Sequence, residues 1–149
     1  MASFYCGSVQ EFLSEGSEQI LARLAVGYAN RGYTTQYADQ TLTWQRDLKH
    51  LREALEECVA RSASAKSWGL LLEFSIPRKE LRIDIILLVS HSVVVIEAKT
   101  GNIASDAKRQ VEEYALLLHY FHKATSSSRV LPVIISSELV NAGFESLSW

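Results

Sequence analysis

With 149 residues, 48% of them apolar, the chain can bury the core of one compact domain and has no room for a second. A net charge of −2 excludes a protein that coats nucleic acid by bulk charge, while leaving open phosphate contacts from a local basic patch. The two cysteines, Cys6 and Cys58, lie far apart without CxxC spacing or a histidine cluster, which excludes a disulfide framework or zinc site and points to a reducing cytoplasm.

The start Met1-Ala2-Ser3-Phe4-Tyr5 lacks the basic segment and apolar run of a signal peptide. Ser8 is placed to cap a short helix through Phe12 and Leu13, and Ile20, Leu21, Leu24, Ala25 and Tyr28 then share one face of a second helix. Gly16 and Gly32 punctuate these helices. Thr41 or Thr43 opens a third, on which Trp44, Leu48, Leu51, Leu55, Cys58 and Val59 form an apolar stripe ending at the serine-rich stretch 62–67. From Trp68 the period changes. Residues 70–76 read as a strand, Pro77-Arg78-Lys79-Glu80 as a turn, and Leu81 to Val89 and Val93 to Lys99 as two further strands around Ser90-His91-Ser92. The most apolar stretch, Leu81 to Ala98, is broken by Asp84 and His91, so no membrane span is expected. A helix follows from about Ser105 to Lys123, then a strand from Val130 to Ile135. The order ααα-βββ-α-β implies an α/β fold with a mixed sheet flanked by helices on both faces.

The chemistry is carried by charged residues inside apolar strands: Glu73 in Leu-Leu-Glu-Phe, Asp84 in Arg-Ile-Asp-Ile-Ile, Glu97 and Lys99 in Val-Ile-Glu-Ala-Lys. Buried charges are costly unless paired or bound to a metal. Pairing Pro77 with Glu80 sets Glu73 opposite Asp84, roughly 5 Å apart. Pairing Ser90 with Val93 sets Asp84 opposite Lys99, and a register two residues away sets it opposite Glu97; both put Asp84, Glu97 and Lys99 on one face. Three carboxylates and an ammonium so gathered suit a hard divalent cation and phosphodiester hydrolysis, with Lys99 acting on the water. The alternative is a set of ion pairs such as Asp84 with Lys99. Arg78, Lys79 and Arg82 form the candidate nucleic-acid patch. His119 and His122 share a helix face without further ligands, and no Walker motif is present.

Asp84, followed after twelve residues by Glu97-Ala98-Lys99-Thr100-Gly101, resembles the signature of the PD-(D/E)XK nuclease superfamily. Gln110-Val111-Glu112-Glu113-Tyr114 resembles the QxxxY helix motif of its RecB-like members. Residues 74–84, with Tyr114 to Leu118 and Phe121-His122, resemble the nuclease-like N-terminal region that precedes the motor in bacterial helicases related to the Schlafen-type DNA/RNA helicases. The resemblance implies a restriction-endonuclease-like core with Asp84 and Glu97 binding Mg²⁺, or Mn²⁺ in its place, and Lys99 assisting the water. It further implies Gln110 and Tyr114 supporting the site, and hydrolysis of DNA by in-line attack of a metal-bound water, leaving a 5′-phosphate. RNA is the second substrate class. A role in defence against foreign DNA or in repair follows from the same likeness, with a helicase domain or subunit as partner and the chain as the N-terminal module of something longer. Many family members carry an acidic residue on the helix before the sheet, and this chain departs from that pattern: Glu53, Glu56 and Glu57 lie away from the apolar stripe, so Glu73 is assigned the role as a third metal ligand, with Asp47 second. The rival reading is a catalytically silent module that keeps the fold and binds DNA or a helicase partner.

Overall fold

A computed structural model of the chain describes residues 3–30, 37–76, 81–99, 105–121 and 127–136, with the backbone alone at some element ends, Lys99 among them. The chain opens with a strand that has no counterpart in the sequence reading, β1 (Tyr5–Ser8). Helices α1 (Val9–Ser14), α2 (Ser17–Asn30) and α3 (Tyr37–Arg61) follow, then a 3-10 turn (Ala63–Ser67). Strands β2 (Gly69–Ile76), β3 (Leu81–Val89) and β4 (Ser92–Lys99), helix α4 (Ser105–Phe121) and strand β5 (Arg129–Ser136) complete the described order.

Ser8 does cap α1, within a reciprocal box: its hydroxyl accepts from the Glu11 amide at 3.1 Å and the Glu11 carboxylate accepts from the Ser8 amide at 2.7 Å. The other end of α1 is satisfied from α3, where the Arg52 guanidinium donates to the carbonyls of Phe12, Leu13 and Glu15. Helix α3 begins at Tyr37, ahead of the expected threonines. A threonine can cap a helix but does not force a start, and no proline or glycine stands between Tyr37 and Thr43 to interrupt the turns. The serine-rich stretch forms the 3-10 turn, a common continuation past a helix end. The turn expected at 77–80 lies outside the described residues, as do Gly32, Gly101, His122 and Lys123.

The five strands lie in sequence order, β1-β2-β3-β4-β5, antiparallel except for the parallel β4–β5 pair joined through α4. Pro132 sits in β5, the edge strand among the described residues, a position where proline is tolerated. One apolar cluster lies between the sheet and α1, α2 and α3, with Tyr5, Phe12, Leu24, Trp44 and Leu51 buried. The other joins Val93, Val95, Ile83, Ile86 and Val130 to Val111, Tyr114, Ala115 and Leu118 of α4. At Gly27 a β-carbon would stand 2.6 Å from the Phe4 ring, so only glycine lets α2 approach the segment before β1 this closely. No described helix is long and apolar enough to cross a membrane.

Candidate active site

The hairpin between β3 and β4 turns at Ser90-His91, with Val89 opposite Ser92 and Ser90 in the left-handed region at φ 53°. This is one of the two registers the sequence allows. It runs to Ile85 opposite Ile96 and stops there. Continued by one residue, this register would set Asp84 across from Glu97, but the ladder ends before them.

Along β4, Val94, Ile96 and Ala98 pack toward α1–α3 while Val93 and Val95 pack toward α4. That alternation sets Glu97, 4% exposed, on the α4 side. The Tyr114 hydroxyl of α4 lies within reach of this charge: burial first, and then the carboxylates of Glu97 and Asp84, push its pKa up against the lowering effect of a hydrogen bond from Gln110. That bond is short, 2.7 Å from Gln110 Nε2 to the Tyr114 oxygen. Four residues apart on one helix, the two side chains meet as the QxxxY spacing requires. Because the tyrosine oxygen accepts from Gln110, its own proton stays available to a second acceptor.

Asp84 also borders a cavity of about 20 Å³, room for one water. The cavity lies between α2, α3 and the sheet, and Asp47 and Glu73 share its wall with Asp84. Glu73 lies opposite Asp84, bracketed by Leu72 opposite Ile85 and Phe74 opposite Ile83. It is 6% exposed, and both carboxylate oxygens are engaged: Oε1 accepts from the Trp44 indole at 3.0 Å and Oε2 lies 3.4 Å from the Arg82 guanidinium. Burial, with the Asp84 charge beside it, raises the Glu73 pKa to about 7 even though Arg82 and Trp44 pull it down. Glu73 and Asp84 are thus neighbours as the turn register requires, while Glu97 lies toward the other face. Among the described residues no group of three acidic, histidine or cysteine side chains is arranged to hold a metal ion.

Arg82 departs from its expected role. Its guanidinium is held by Glu73 and lies over two rings, 5.6 Å from the Phe4 centroid and 5.4 Å from that of Tyr28. Its side chain is 21% exposed and turned toward these partners. Arg78 and Lys79 lie outside the described residues. Lys99 closes β4 with its backbone opposite Ser136 of β5. Asp47 pairs with Arg46 at 3.5 Å and borders the Asp84 cavity, whereas Glu53, Glu56 and Glu57 are exposed.

Trp44 was legible only as part of an apolar stripe. The signal that could have singled it out is chemical: a buried indole N–H needs an acceptor, and Glu73 is an acidic residue in an otherwise apolar strand. No family model, curated protein or solved structure matches the chain.

Proposed function

We propose that the chain is a Mg²⁺-dependent nuclease domain of the PD-(D/E)XK type that hydrolyses DNA phosphodiester bonds. The observation that carries this reading is the β3–β4 register, which ends at Ile85 opposite Ile96, next to Asp84 and Glu97 in sequence, with the charges of both carboxylates reaching the Tyr114 hydroxyl. The Gln110–Tyr114 pair, within electrostatic reach of Glu97, supports it. Like charges brought together inside a fold are costly, and an oxygen-seeking cation relieves that cost. Two carboxylates fit the chemistry of Mg²⁺, which takes one or two protein carboxylates and fills its remaining positions with water and substrate phosphate. When bound, such an ion polarises the scissile phosphate and neutralises charge developing on it.

Asp84 and Glu97 are assigned to hold the ion, and Mn²⁺ can take the place of Mg²⁺. Lys99, two residues beyond Glu97 on β4, would orient the attacking water as an ammonium donor or, in its neutral amine form, take the water's proton. Gln110 fixes the Tyr114 ring and leaves the hydroxyl proton to donate to a phosphate oxygen or to Glu97. In this assignment Glu73 stands behind Asp84, because its oxygens are taken by Trp44 and Arg82. A helicase domain or subunit is the partner this reading favours, by likeness to the helicase-linked nuclease regions. The test is incubation of the purified chain with labelled linear, circular and single-stranded DNA and with RNA, in Mg²⁺, Mn²⁺ or EDTA. Metal-dependent cleavage of DNA to 5′-phosphate ends is expected. Binding without cleavage in either metal would favour the silent module instead.

A further inference from the structure

The residues beneath α4 come from strands that exchange faces partway along. Residues two apart on a regular strand share a face. Leu70 and Leu72 of β2 lie in the cluster against α1–α3, so regular alternation would place Phe74 there as well and aim Glu73 at α4. Instead Phe74 lies in the α4 cluster with Val111, Tyr114, Ala115 and Leu118, and Ile76 packs against it. Its partner across the ladder, Ile83, does the same, although Ile85 and Leu87 of that strand belong to the first cluster. The exchange falls at Glu73, whose φ of 53° is a left-handed conformation that a residue with a β-carbon adopts only when its surroundings impose it. Those surroundings are on the α1–α3 side, where the Glu73 carboxylate accepts from the Trp44 indole at 3.0 Å and stands 3.4 Å from the Arg82 guanidinium. The exchange therefore keeps a carboxylate off the apolar face of α4 and puts Phe74 and Ile83 beneath it.

We propose that Glu73 is a positioning residue for Tyr114: gripped by Trp44 and Arg82, it turns the end of the β2–β3 hairpin so that Phe74 and Ile83 pack beneath α4 and hold the tyrosine in place. The inference rests on the reading of Tyr114 as part of the hydrolytic site. Tyr114 is 4% exposed, and its hydroxyl is tied to Gln110 from within its own helix. A bond inside one helix orients the side chain on that helix but does not set where the helix rests on the sheet, which is decided by the residues packed under it. If residue 73 returned to a regular strand conformation, its side chain would turn toward α4 and Phe74 would turn away, and the support under Tyr114 would go with it. A displacement of about 1 Å in a group that serves a reaction can lower the rate about a hundredfold.

The test combines tyrosine nitration of the full chain in EDTA, mapped by mass spectrometry, with cleavage assays in Mn²⁺, for wild type, Glu73→Val, Glu73→Gly, Trp44→Phe and Tyr114→Phe, each checked for folding by circular dichroism. In the wild type Tyr114 should be protected, while Tyr120, 67% exposed on the same helix, is nitrated and serves as the internal standard. Valine is strongly disfavoured in the left-handed region and glycine is not. Glu73→Val should therefore make Tyr114 reactive, whereas Glu73→Gly should leave it protected, a rescue that loss of the carboxylate alone does not predict. Trp44→Phe loosens the grip and leaves residue 73 in place, so it carries the test if Glu73→Val does not fold; it too should increase nitration of Tyr114. Glu73→Val should lower cleavage about tenfold or more, and adding it to Tyr114→Phe should cause no further loss, because the two act through one group. Protection of Tyr114 in folded Glu73→Val or Trp44→Phe, equal nitration in Glu73→Val and Glu73→Gly, or losses that multiply in the double variant overturn the positioning role. Wild-type cleavage by Tyr114→Phe, or no cleavage by the wild type, overturns instead the reading on which the inference rests, whatever the nitration pattern.

Discussion

Replacing Glu73 by glutamine removes an acid whose protonation is tied to folding, so its effect on stability should depend on pH. Glu73 has its pKa raised from 4.5 to about 7 by burial and by the neighbouring Asp84 charge. An acid raised in this way holds more protons in the folded than in the unfolded state between those two values. Wild-type stability is therefore fully present below the unfolded pKa and is lost as pH rises toward the folded one. At about 1.4 kcal/mol per pH unit, the loss amounts to about 3 kcal/mol. In a chain of this size that is roughly 6 to 12 °C of melting temperature. Glutamine keeps the volume and an acceptor for Trp44 but has no proton to lose. Thermal melts of both proteins in EDTA, from pH 4.5 to pH 8, give a difference curve from which the other titrating groups cancel. It should fall in favour of Glu73→Gln as pH rises, most steeply midway between the two pKa values, at about pH 6. Parallel pH dependences would refute the argument that Glu73 is buried against a like charge.

The remaining expectations concern the site directly. Asp84→Asn should stabilise the metal-free protein by removing a repelling charge, and should abolish any rise in melting temperature with millimolar Mg²⁺; a wild type already indifferent to Mg²⁺ and a destabilised variant would mean that Asp84 is an ion-pair partner. Lys99→Ala should lose cleavage while still binding Mn²⁺ in calorimetry, and near-wild-type cleavage would remove the assigned role of the amine. Gln110→Ala loses one part-buried hydrogen bond, a cost of about 1 kcal/mol in stability, but should reduce specific activity far more. A lowered melting temperature with intact activity would make Gln110 a structural residue.

The elements that carry the site were legible because their signals are local. A serine three residues before a glutamate marks the start of α1, and helical spacing marks the core faces of α2, α3 and α4. The β3–β4 register was legible only as a pair of alternatives, since Ser90-His91-Ser92 contains no glycine or asparagine to name the turn. The structure chooses the one with Val89 opposite Ser92 and Ile85 opposite Ile96. Strand β1 escaped notice because Tyr5 to Ser8 offers four residues with a glycine and a serine among them; it exists through pairing with β2, a partner more than sixty positions away. Arg82 was grouped with Arg78 and Lys79 because they adjoin it in sequence. The partners seen in the structure, Glu73, Phe4 and Tyr28, come from β2, the segment before β1 and α2. The face change at Glu73 was likewise hidden, because strand alternation is read on the assumption that it continues unbroken.

The central claim, that Asp84 and Glu97 form a cation site for phosphodiester hydrolysis, is tested most directly by plasmid nicking and linearisation with purified wild type, Asp84→Asn and Glu97→Gln in Mn²⁺ and in EDTA. Cleavage by the wild type in Mn²⁺, its loss in EDTA, and its loss in both folded variants is the predicted result. Cleavage retained by either folded variant, or by the wild type in EDTA, would contradict it.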